Sequence, residues 1–100
     1  MSFADVKYED FVPLVGSDFV LPGDDTAPPI HFKLTEVISK GKAPRPEFRD
    51  PFTLIFRVDT QDVYAQSTYR LVHADMGECD VFLVPTGKDA DGVEYCSTFN

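Results

Sequence analysis

An all-β, mainly antiparallel fold of about six strands, closed as a barrel or layered as a sandwich behind a short N-terminal helix, is what this sequence predicts. Three observations predict it. Apolar and polar residues alternate with period two in several short runs, most cleanly in Phe52-Thr-Leu-Ile-Phe-Arg-Val58. Pro, Gly and Asp punctuate the chain between those runs, as at Pro22-Gly23, Gly77 and Asp89-Ala-Asp-Gly92. Nothing between the runs has the length and period of the crossover helices that a parallel sheet needs. One hundred residues, 43% hydrophobic and including nine Phe and four Tyr, make a single domain over 1–100 with one core and no need of a metal or disulfide staple.

The elements follow in order. Phe3, Val6, Phe11 and Leu14 recur at loose helical spacing over residues 3 to 15, stopping near Pro13 and Gly16, which predicts a short helix covering one open end or edge of the sheet. Asp18-Phe-Val-Leu21 is a brief strand ended by Pro22-Gly23. Ile30-His-Phe-Lys-Leu34 alternates strictly, but Thr35-Glu-Val-Ile38 continues in the opposite phase, so a bulge near Thr35 or Glu36 is expected to restore the inward direction. In Phe52–Val58 the residues Phe52, Leu54, Phe56 and Val58 share a face. Ser67–His73 sends Tyr69 and Leu71 inward and Arg70 outward. Cys79–Val84 is apolar on both faces and closes at Pro85, which predicts a central strand covered on both sides. Val93–Phe99 alternates to the end.

The last two strands predict a hairpin whose turn lies in Gly87–Gly92. With Thr86 facing Val93, Cys96 falls opposite Leu83 and Cys79 opposite Asn100, too far apart for a disulfide. Free, mostly buried thiols are expected.

Function classes are narrowed by charge and by motif. The formal net charge of −8 repels nucleic-acid backbones and anionic lipid, so neither nucleic acid nor membrane is expected as a partner. No apolar window approaches a membrane span, and the acidic start from Met1 lacks a signal-type apolar region, which makes the cytoplasm the default address. Asp89-Ala-Asp-Gly92 carries fragments of a calcium loop but sits between strands, so it reads as a hairpin turn, as does Gly23-Asp-Asp25. His31 and His73 lie on different strands with no Cys or Asp placed to join them on zinc. No serine has nucleophile-elbow glycines around it, and no phosphate-binding glycine pattern exists. The expectation is no enzyme, no cofactor and no metal.

What remains is a contact surface. Lys40-Gly-Lys-Ala-Pro-Arg-Pro-Glu-Phe-Arg49 holds four of the nine basic residues, so Lys40, Lys42, Arg45 and Arg49 form a positive feature on an acidic chain, with Phe48 as an apolar anchor. Gln66 and Tyr69 mark a second candidate segment, and the last strand could pair with a second copy of the chain.

Phe11-Val-Pro-Leu-Val-Gly16, Phe19, Leu21, Leu34-Thr-Glu-Val37, Phe52-Thr-Leu-Ile-Phe56, Gln66–His73, Gly77, Val81-Phe-Leu-Val-Pro85, Gly92, Tyr95 and Phe99-Asn100 together resemble a family of small bacterial domains of unknown function often encoded beside phage-tail-collar or microcystin-dependent-type fibre proteins. Ser67 stands where that family leads one to expect Gly. The resemblance implies no activity. It implies a neighbourhood, and with it a non-enzymatic interaction or assembly-accessory module for a fibre- or appendage-type protein, associated with a surface or secreted assembly. The alternative is a small β-barrel that binds an apolar small ligand.

Overall fold

Period-two alternation becomes six antiparallel strands in one sheet. The computed structural model describes residues 7–42 and 50–99; the start of the predicted helix lies outside them. Its described part is one turn, α1 (Tyr8–Phe11), with Asp10 accepting the Lys7 backbone N–H at 2.8 Å, followed by a 3-10 turn over Val12–Leu14 that contains Pro13. The strands are β1 (Asp18–Leu21), β2 (Ile30–Ser39), β3 (Phe52–Val58), β4 (Ser67–His73), β5 (Gly77–Asp89) and β6 (Gly92–Phe99). Strands β1, β3 and β4 have the bounds their sequence predicts. Their neighbours pair in the order β1-β2-β3-β6-β5-β4, and the order closes on itself where Val20 of β1 meets Val72 of β4.

The phase change in β2 is a bulge. Leu34 pairs with Phe56 and Glu36 with Ile55, so Thr35 is the extra residue, and its hydroxyl donates to the Ile55 carbonyl at 3.2 Å. Leu34 and Val37 can both face inward because of it.

Three expectations need correction. Strand β5 does not close at Pro85 but runs to Asp89, because a second bulge between Pro85 and Gly87 accommodates a residue that has no N–H to donate. Thr86 is the extra residue there. The β5–β6 turn is therefore the two residues Ala90-Asp91, and Val93 faces Lys88 rather than Thr86, which sets Cys96 against Val84. Cys79 instead pairs with Leu71 on β4, and both cysteines are free thiols. Nor is β5 covered on both faces: Cys79, Val81 and Leu83 point into the ring, whereas Phe82 points out and is 47% exposed. A ring of strands has one interior, so a strand flanked on both sides by neighbours still shows its outer face to water.

The interior is filled by side chains. Phe19, Phe32, Leu34, Leu54, Phe56, Leu71, Val81, Leu83 and Tyr95 are all fully buried. Phe32 lies edge-on to Phe56 and Tyr95, with ring centres 6.5 and 5.3 Å away, the offset geometry that aromatic quadrupoles favour. One mouth is plugged by Phe11 of α1, fully buried with its ring 5.6 Å from Phe52, 6.0 Å from Phe99 and 6.4 Å from Phe19. At the other mouth the segment between β3 and β4 packs Tyr64 against the core, and its backbone N–H donates to the Tyr95 hydroxyl at 2.9 Å. Gly92, at φ +145°, comes so close to Val58 that a Cβ would collide with the Val58 carbonyl oxygen.

Two substitutions test this packing in urea unfolding. Phe11→Ala removes the plug and is expected to cost about 3–5 kcal/mol, whereas Phe82→Ala, on the outer face, is expected to stay within about 0.5 kcal/mol. Gly92→Ala is expected to cost roughly 2–3 kcal/mol, because both the backbone angle and the contact with Val58 must give.

Candidate functional site

Among the described residues, one pair of side chains has the look of catalytic machinery. Ser17, just before β1, and His73, at the end of β4, are brought together by the closure of the ring, with Oγ and Nε2 2.8 Å apart. Sequence spacing gives no hint of it, since the two are 56 residues apart. The surrounding hydrogen bonds define the imidazole. Its Nδ1 accepts the backbone N–H groups of Asp75 at 3.0 Å and Met76 at 3.3 Å, so the ring proton resides on Nε2 and is donated to Ser17. Ser17 in turn donates to the Leu14 carbonyl. A general base would need a bare Nε2 facing the hydroxyl, and here both groups already have their proton committed the other way. With His73 3% exposed and its ring centre 4.5 Å from that of Phe19, the pair works as a buried polar tie between the 3-10 turn and β4. His31 lies elsewhere, exposed on β2, with Nδ1 3.2 Å from an Asp18 carboxylate oxygen.

The acidic turns are likewise occupied by their own backbone. Asp24 accepts from the Thr26 hydroxyl at 2.6 Å, the Thr26 N–H at 2.7 Å and the Ala27 N–H at 3.0 Å. Those bonds, the Thr26 hydroxyl first, lower its pKa below the ordinary 3.8. Gly23 belongs to the same fold of the chain, where a Cβ would strike the Ala27 carbonyl oxygen. Asp89 accepts the Asp91 N–H at 2.9 Å and a guanidinium N–H of Arg57 at 2.7 Å, and its pKa is lowered by the Asp91 bond first. Among the described residues no group of three or more His, Cys, Asp or Glu is arranged to hold a metal ion.

The partner-binding candidates fall at two different ends. Lys40 follows β2, its N–H donating to the Pro51 carbonyl at 2.9 Å, and Lys42 reaches Asp50 at 3.4 Å, both beside the mouth that Phe11 plugs. Arg45, Phe48 and Arg49 lie outside the described residues. Gln66 is exposed just before β4, at the opposite end of the strands, and Tyr69 is half-buried with its hydroxyl donating to the Ala65 carbonyl. Strand β6, the expected edge for a second copy, is paired with β3 along Phe99 to Val93 and with β5 from Cys96 to Gly92.

Two surface features escaped the sequence. An open groove of about 910 Å3 lies outside the ring, between the 22–29 loop and the outward side chains Val20, Val72 and Ala74, with Asp18, Asp24 and Asp25 among its lining. Pro22, Pro28 and Pro29 signalled a loop, but nothing local signalled that the loop would stand beside the β1–β4 closure. The second feature is the outer face of β3, β6 and β5, where Ile55, Cys96 and Val84 are cross-strand neighbours and only half-buried.

A family model described as Domain of unknown function (DUF6916) matches residues 6–99. The chain belongs to that family. The match spans the whole DUF6916 ring, from the residue before the described part of the N-terminal segment to the end of β6. No curated protein and no solved structure matches this DUF6916 chain. Among its described residues, no helix is long and apolar enough to cross a membrane.

The thiols and the buried phenol yield two measurements. Cys79 is 3% exposed and burial raises its pKa, so a small aromatic disulfide reagent is expected to modify Cys96 in the native protein and Cys79 only on unfolding. Burial raises the pKa of Tyr95 as well. Both groups fold in their neutral form, so the stability they contribute is complete below their ordinary values of 9.0 and 10.0 and is lost as pH rises beyond them. The melting temperature is expected to fall above pH 9.0, and less steeply in Cys79→Ala relative to that variant's own neutral-pH value.

Proposed function

We propose that this domain is a non-enzymatic interaction module, an assembly accessory of a fibre- or appendage-type protein. The observation that carries the proposal is the contrast between inside and outside. Inside, the ring is filled with side chains, and the Ser17–His73 pair is spent on its own hydrogen bonds. Outside, the 22–29 loop and the β1–β4 closure leave an open groove with Val20, Val72 and prolines beside three carboxylates. Those surfaces suit a partner segment that sets an apolar residue next to Lys or Arg: the valines take the apolar part, and the carboxylates favour the cation. The basic stretch with Lys40, Lys42 and Arg45 offers a second contact of opposite sign. The resemblance to domains encoded beside fibre proteins supplies the kind of partner. An apolar small ligand would have to displace the buried rings or bind outside them.

Affinity purification of the tagged chain from its native host, followed by mass spectrometry, tests the proposal. A fibre- or appendage-type protein is expected to co-purify, and replacement of Asp24 and Asp25 by Lys, or of Lys40, Lys42 and Arg45 by Glu, is expected to reduce its recovery at least about tenfold. Absence of such a protein, or equal recovery with both sets of charge reversals, would overturn it.

A further inference from the structure

The groove beside the β1–β4 seam calls for a segment that the chain itself carries. Its floor is the outward row Val20, Val72 and Ala74, in which Val20 pairs with Val72 and Val72 is 37% exposed. Its charges have one sign: Asp18, Asp24 and Asp25 line it, and no Lys or Arg does. The bonds that hold Asp24 come from the Thr26 hydroxyl and from backbone N–H groups, so its negative charge is fixed in place without being cancelled. Asp25 is exposed next to it, and Asp18 has His31 at 3.2 Å. Cations gather in another part of the sequence. Lys40-Gly-Lys-Ala-Pro-Arg45 is the one run of six residues that holds three of them, and it sets them beside Ala43 and Pro44. Lys40 is exposed, and Lys42, 91% exposed, has only a loose surface pairing with Asp50 at 3.4 Å. Strand β2 starts after the 22–29 loop and ends before Lys40, so ten residues of strand, about 30 Å, separate that loop from the lysines of the same chain.

We infer that the groove of one chain receives the Lys40–Arg45 stretch of another, so that copies of this domain join head to tail. The inference rests on the reading of the groove as a contact surface and names its occupant. A lysine suits the groove at both ends of its side chain: the aliphatic stem covers the valines while the ammonium group reaches the carboxylates. The stretch offers that combination at Lys40 and again at Lys42, and Ala43 and Pro44 add apolar area. Two chains of net charge −8 repel each other at long range, but at physiological salt that repulsion is screened beyond about 8 Å, whereas the charges joined in the contact lie inside that distance. Groove and basic stretch are different surfaces, so the contact is heterologous. Each copy uses its groove toward one neighbour and its basic stretch toward the other, and the row grows unless its rotation closes a ring. An open row leaves one groove free at one end and one basic stretch free at the other, and these are the surfaces on which a fibre-type partner would be met.

Sedimentation velocity of the purified chain over a wide concentration range tests it, with two variants that each remove one side of the contact. Asp18→Lys with Asp25→Lys alters the groove and leaves the Asp24 turn intact; Lys40→Glu, Lys42→Glu and Arg45→Glu alter the basic stretch. The native chain is expected to form dimers and then larger species as its concentration rises. Each variant alone is expected to associate at least about tenfold more weakly, with unchanged circular dichroism. Mixed in equal amounts, the two variants are expected to form a dimer of unlike chains and nothing larger, because only one intact groove and one intact basic stretch remain per pair. A native chain that is monomeric throughout, variants that associate as the native chain does, or a mixture that stays monomeric or grows past two chains would overturn the inference. Monomeric native chain with a fibre-type protein still co-purifying would sink the head-to-tail contact alone, whereas association of the pure chain with no such protein recovered would sink the proposed partner alone.

Discussion

The ring depends on its narrowest seam. Strands β3 and β6 are joined over seven residue pairs and β4 and β5 over seven, but β1 meets β4 at the single pair Val20–Val72. Strand β1 has no room to pair further: Pro22 cannot donate to a ladder, and Gly23 bends the chain into the 22–29 loop. Closure is therefore the work of side chains. His73 at the end of β4 donates to Ser17, Ser17 donates to Leu14, and the imidazole lies against Phe19 of β1. Phe11 then packs over Phe19, Phe52 and Phe99, reaching from the seam to the far wall. The N-terminal segment is thus more than a lid. It ties together the two strands that the backbone ladder holds least.

That constraint explains where chemistry and contact surfaces end up. A polar network that must be complete to be tolerated inside an apolar ring leaves no spare acceptor on His73 and no free hydroxyl proton on Ser17. The same seam, being short, leaves the outward side chains of β1 and β4 beside a loop rather than beside another strand, and the groove is the result. On the opposite wall the ladders are long and regular, so the outer face there is an array of cross-strand neighbours.

Much of the fold was legible because it is written in local alternation. The bounds of β1, β3 and β4 follow from the period and from breakers such as Pro22-Gly23 and Gly77, and the bulge in β2 follows from the three-residue step between Leu34 and Val37. Pro85 misled, because a proline ends a strand only where its missing N–H is needed, and a bulge at Thr86 removes the need. Phe82 misled for a geometric reason: an apolar residue on the second face of a strand is covered in a layered fold and uncovered in a ring. The candidate site was hardly legible at all. Ser17 and His73 meet only through the seam, the groove exists only once the ring has closed, and the half-buried row Ile55, Cys96 and Val84 is assembled from single residues on separate strands. Lys40 and Lys42 were visible as composition, but composition does not tell that they stand at the opposite end from Gln66.

Native-state hydrogen exchange on the Ser17→Ala variant tests the seam most directly. If side chains close the ring, protection is expected to fall selectively at β1, at the Val72 end of β4 and in the Tyr8–Leu14 segment, while β3 and β6 keep theirs. A uniform loss of protection across all six strands, or none at β1, would contradict a ring whose closure rests on Ser17, His73 and Leu14.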